Sequence, residues 1–128
     1  VQWVTKVSAA NTNSDLTNGT VYQCCSADPT NGSFIDEIRV KADPANNTAA
    51  TVVRFWLNTG ATVSTAANSA LIGELGIPAT TASNSNANPD FAFPVNKGIP
   101  ASYRIMATLG TAPGANGAFT ITTFFGKY

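Results

Sequence analysis

The sequence predicts an all-β domain of two packed antiparallel sheets, and three observations lead there. Apolar side chains recur at every second residue along most of the chain, which is the period of a strand and not of a helix. Turn dipeptides and prolines punctuate these stretches at short intervals. The 128 residues hold eight such stretches, enough for two sheets around one core in a single domain spanning residues 1–128. Eight short strands with long crossing connections suit a jelly roll first and another Greek-key sandwich second. Periodicity does not order the strands.

Taken along the chain, the first two stretches lie around residues 3–7 and 20–25. Residues 33–41 follow, with Phe34, Ile38 and Val40 on one side and Glu37, Arg39 and Lys41 on the other. Asp36 falls on the apolar side, against the pattern. Residues 51–57 place Val53, Phe55 and Leu57 opposite Val52, Arg54 and Trp56. Leu71, Leu75 and Ile77 form a fifth face, and Phe91, Phe93 and Val95 a sixth, where Pro94 argues for an edge strand or a strand end. In residues 101–109, Tyr103, Ile105, Ala107 and Leu109 alternate with Ser102, Arg104, Met106 and Thr108. In the last strand Phe119, Ile121 and Phe125 oppose Thr120, Thr122 and Phe124, so Thr108 and Thr122 are expected to face solvent. Asn18-Gly19, Asn31-Gly32 and Asn116-Gly117 supply positive φ for turns. Two small, polar segments, 58–69 and 79–89, read as long surface loops.

Composition narrows the function. Only 11% of the residues are charged, well below the roughly 25% of ordinary soluble domains, and seven basic residues cancel seven acidic ones. Nucleic-acid binding needs a basic footprint, and no stretch concentrates either sign. No run approaches a membrane span. The opening Val1-Gln2-Trp3-Val4 lacks the layout of a signal peptide. Histidine is absent, which excludes Ser-His-Asp and Cys-His arrangements and imidazole ligation. No cofactor or metal site is expected, and no catalytic residue. A surface this poor in charge suits close packing against a partner or against copies of itself, since little charge is desolvated.

The remaining constellations have ordinary readings. Asp36-Glu37 is the only acidic pair, and neighbours on a strand face opposite ways, so it is not an acid–base pair. Gly73-x-x-Gly76 lacks the lysine and the context of a phosphate loop; close strand packing or a bulge accounts for it. Three sequon-like triplets beginning at Asn18, Asn31 and Asn46 follow from abundant Asn and Thr. Cys24 and Cys25 read as two small, partly buried hydrophobes in a reducing compartment, with a strained vicinal redox pair as the alternative. Trp56 is the residue that stands out. On a one-sided sheet it would be exposed beside Arg54, and Trp and Arg dominate interface hot spots. Alternatively, a loop or the segment carrying Trp3 covers it. Trp56, Arg54 and Trp3 are therefore the candidate partner contacts.

These segments, in order, resemble a group of small proteins encoded among the structural genes of tailed bacteriophages and prophages. The likeness runs through Gly32-Ser-Phe-Ile35, Ile38-Arg39, Asn47-Thr-Ala-Ala-Thr-Val-Val-Arg54, Leu71-Ile-Gly-Glu-Leu75 with Ile77-Pro78, Pro94, Pro100-Ala-Ser-Tyr103 and Phe124-Phe-Gly-Lys-Tyr128. It covers residues 30–128. It implies a virion structural protein, a capsid cement or decoration protein assembled in the host cytoplasm onto the capsid surface. Such a protein binds the major capsid protein and copies of itself as a homo-oligomer, without cofactors. The rival is a lectin-like carbohydrate-binding sandwich in which Trp56, Trp3 or Tyr22 stacks on sugar rings; a bacterial surface or pilus subunit comes third.

Overall fold

A computed structural model describes residues 1–17 and 19–128. Asn18, in one predicted turn and one sequon-like triplet, lies outside the described residues. The eight predicted strands all form: β1 (Gln2–Val7), β2 (Tyr22–Ser26), β3 (Ser33–Ala42), β4 (Thr51–Asn58), β5 (Ser69–Ile77), β6 (Asp90–Ile99), β7 (Arg104–Leu109) and β8 (Phe119–Lys127). Among the described residues there is no helix, and so none long and apolar enough to cross a membrane.

The strands form two sheets, β1-β8-β3-β6 and β2-β7-β4-β5. Every adjacent pair is antiparallel. The first strand pairs with the last, the second with the seventh, the third with the sixth and the fourth with the fifth. A long antiparallel hairpin rolled into a two-layer sandwich has this connectivity, which is the jelly roll. We refer to the sheets as the β1 sheet and the β2 sheet.

The core lies between them. Val7, Ile35, Ile38, Val40, Phe119 and Ile121 of the β1 sheet face Val53, Phe55, Ile105, Ala107 and Leu109 of the β2 sheet, all fully buried. Phe55 stacks on Phe93 across the layers, with ring centroids 5.0 Å apart. Burial of this apolar surface, at about 25 cal/mol per Å², is the main favourable contribution to folding.

Three bulges decide which side chains reach that core. In β3 the register shifts between Ile35 and Glu37, so Asp36 is the extra residue. The bulge reverses the alternation on its N-terminal side: Ile35 points inward and Phe34 outward, contrary to the simple pattern. It also accounts for Asp36, an exposed acid on the apolar side of the simple pattern. In β2 the shift falls at Cys24, and both cysteines enter the same core as free thiols. In β5 the shift beside Gly73 skips Ile72 and turns Leu71 outward beside Trp56, separating it from Leu75 and Ile77. Gly73 itself is close packing: a Cβ there would run into the Phe93 ring.

The loops are held by their own polar side chains. In the β4–β5 connection the buried Asn58 donates to Asn68 Oδ1 at 3.0 Å and to Ser69 Oγ at 3.1 Å, and accepts from the Gly60 amide at 2.8 Å. In the β5–β6 connection Thr80 pairs with Thr48. This is how a chain rich in Asn and Thr orders long connections without a hydrophobic interior of their own.

Candidate functional site

Trp56 is covered. It lies on the outer face of β4 but is only 5% exposed. Leu16 and Val21, from the connection between β1 and β2, pack with Met106 around it in a second small cluster. Its indole N–H donates to Thr108 Oγ1 at 3.1 Å. Leu16 takes a φ of 68° to reach this position, a conformation that bulky residues rarely adopt. Of the two readings left open by the sequence, the loop cover is correct, and Trp56 presents no free surface to a partner. The same cover corrects Thr108, which is fully buried, whereas Thr122 on the β1 sheet remains half-buried.

The other two candidates do not join it. Arg54 sits on the same outer face, with Nε 2.7 Å from Glu74 Oε1 on the neighbouring strand, so its charge is already paired. Trp3 is on the opposite sheet, in edge strand β1, 37% exposed, with its indole donating to Thr5 Oγ1 at 3.1 Å. Tyr22 turns its hydroxyl to the backbone amides of Ser8 and Ala9, at 3.1 and 2.8 Å. The three aromatics proposed for sugar stacking therefore do not form a common platform.

No family model, curated protein or solved structure matches this chain. Function must be read from its surfaces.

The outer face of the β1 sheet spans four strands. Its rows, read across β1, β8, β3 and β6, run Val4–Thr122–Arg39–Ala92 and Gln2–Phe124–Glu37–Pro94, with Lys6–Thr120–Lys41–Asp90 beside them. Three ion pairs form on it: Lys6 with Asp43 at 2.7 Å, Arg39 with Glu37 at 2.7 Å and Lys41 with Asp90 at 3.3 Å. The Arg39 guanidinium also lies 5.6 Å from the Phe124 ring centroid. Exposed pairs of this kind add little stability. Their effect here is to leave the wall close to neutral, with threonine hydroxyls, Phe124, Phe34 and Val4 as its other contact groups.

Between the sheets, at the β5–β6 edge, is an apolar cleft of about 200 Å³ lined by Leu57, Ile72, Phe93, Val95, Ile99 and Ile105, with Lys97 its one charged neighbour. It can take a small apolar group, but it has no carboxylate to pair with the lysine for acid–base work. No cluster of three His, Cys, Asp or Glu side chains converges among the described residues. The two thiols are inert where they lie: burial pushes the Cys25 thiol up to about 11, and burial with the neighbouring Cys25 pushes Cys24 in the same direction. A protonated buried thiol is neither a nucleophile nor a metal ligand.

Proposed function

We propose that this chain is a structural protein of a tailed-phage virion, a cement or decoration protein that binds the major capsid protein lattice at the capsid surface. The observation that carries the reading is the outer face of the β1 sheet. It is an antiparallel wall on which Lys6, Arg39 and Lys41 each have a carboxylate partner, which limits the charge that docking must desolvate. Its threonine hydroxyls and apolar groups offer hydrogen bonds and packing instead. The ordered sequence likeness over residues 30–128 supports the same reading. Each copy needs only modest affinity, because an oligomer engaging several lattice positions at once gains through effective concentration.

The sugar-binding reading is weaker on this structure, since Trp56 and Tyr22 are both occupied within the fold.

Heads lacking this protein should assemble yet rupture at lower temperature or under milder osmotic stress. Adding the purified chain should restore them. Thr122→Lys, which places a new charge in the middle of the wall, should abolish that rescue without lowering the melting temperature of the isolated protein. Heads equally robust with and without the chain would refute the assignment.

A further inference from the structure

The sandwich has four edge strands, and three are protected against pairing. β6 carries Pro94 and breaks its register at Asn96, which takes a φ of 48°. β5 is bulged at Ile72 and carries Glu74 on its outer face. β2 is five residues long, is bulged at Cys24, and has its Gln23 carbonyl taken by the Thr5 hydroxyl at 2.7 Å. Proline, bulges, charges and shortness are the devices by which sheets avoid edge-to-edge association.

β1 is also short, at six residues, and carries Lys6, but its ladder is unbroken. It runs in regular register along β8 from Gln2 to Val7, without proline or bulge, and Val4 is 58% exposed. The Phe125 amide donates to the Val1 carbonyl at 3.0 Å, which fixes the alternation: Val1, Trp3, Thr5 and Val7 bond to β8. The amides and carbonyls of Gln2, Val4 and Lys6 therefore point to the open side. Farther on, the Ser8 amide is held by the Tyr22 hydroxyl, so the free edge ends there.

We infer that β1 is a self-association edge, pairing antiparallel with β1 of a second copy about a two-fold axis at Val4. This register places Val4 opposite Val4, Gln2 opposite Lys6 and Trp3 opposite Thr5. It brings the outward-pointing amides and carbonyls into bonding positions, making about six inter-chain hydrogen bonds. It sets no like charges opposite each other, because the strand's one cation, Lys6, meets a neutral amide and is already paired with Asp43. The two β1 sheets become one eight-stranded sheet, and the exposed Val4 side chains cover each other. A second copy is the occupant because the same short strand satisfies itself: its hydrogen-bonding residues, its apolar centre and its charge all match under the two-fold. The inference stands whether or not the partner is a capsid.

Sedimentation and cysteine crosslinking of the intact chain test it. Directly opposed residues in a hydrogen-bonded antiparallel pair have Cα atoms about 5.5 Å apart, within reach of a disulfide. Val4→Cys should oxidise to a covalent dimer, whereas Gln2→Cys, opposite Lys6, should not crosslink to itself. Wild type should sediment as a concentration-dependent dimer, and Val4→Lys, setting lysine against lysine at the axis, as a monomer with an unchanged circular dichroism spectrum. If Val4→Lys melts early, the two cysteine variants decide the matter alone. A wild type that stays monomeric at high concentration, or equal crosslinking at positions 2 and 4, overturns the proposal.

Discussion

Truncating Trp56 removes a large buried side chain and leaves Leu16 and Met106 without their contact, so Trp56→Ala should destabilise by about 3–5 kcal/mol. Trp56→Phe keeps most of the packing but leaves the buried Thr108 hydroxyl without its donor, at about 1 kcal/mol. Urea denaturation of both variants beside Trp3→Ala checks this; the Trp3 variant should lie near wild type, since that indole is part-exposed on an edge. The cysteines make a second residue-scale prediction. A thiol held protonated in the fold but free to ionise near 9.0 when unfolded contributes stability that is complete below the unfolded value. That stability is lost as pH rises toward the folded one. The slope is at most about 1.4 kcal/mol per pH unit for each thiol. Wild type should therefore lose more stability than a Cys24→Ala/Cys25→Ala variant between about pH 8 and about pH 10, and neither thiol should react with an aromatic disulfide reagent until the chain unfolds. The exposed-Trp alternative could not be decided from residues 51–57 alone, because its cover comes from Leu16 and Val21, far away in sequence and outside any regular element.

Bulges, more than strand composition, determine which side chains reach the interior. Period-two alternation located all eight strands, and the inward sets of β4, β6, β7 and β8 were legible with it. It failed where one inserted residue reverses the faces, at Phe34, at Cys24-Cys25 and at Leu71. Only β3 carried a visible sign of this, the acid on an apolar face. Asp36→Ala removes a solvent-facing side chain and should change stability by about 0.5 kcal/mol or less. Deleting Asp36 sets Ile35 directly before Glu37, and plain alternation from Ile38 then keeps Ile35 inward and Phe34 outward, with Ile35 and Glu37 still opposite Phe125 and Phe124. The deletion variant should therefore fold with the same residues inside. Thermal melts of the two variants check this, and loss of folding on deletion would contradict this reading of the bulge. Glycine at position 73 was better signposted: the missing lysine and context argued against a phosphate loop, and the close packing expected instead is that of the Phe93 ring.

At the scale of the whole molecule, jelly-roll order was compatible with the sequence but not encoded in any single stretch of it. The order depends on which distant strands bury each other's faces, and local patterns carry no such information. The proposed docking surface was hidden for the same reason. Arg39, Thr122 and Val4 come from three strands far apart in the chain, and only the order β1-β8-β3 sets them in one row. The pairing of Lys6, Arg39 and Lys41 with carboxylates likewise depends on neighbours brought together by the fold. Binding through such a wall should depend little on ionic strength, because few uncompensated charges remain to be screened. The most direct measurement is co-sedimentation of the purified chain with heads lacking it, at low and at physiological salt, with an immobilised polysaccharide in parallel. The account predicts saturation at a fixed ratio to capsid subunits, nearly equal affinity at both salts, and no retention on the polysaccharide. Failure to bind heads, or retention on the polysaccharide alone, would contradict it.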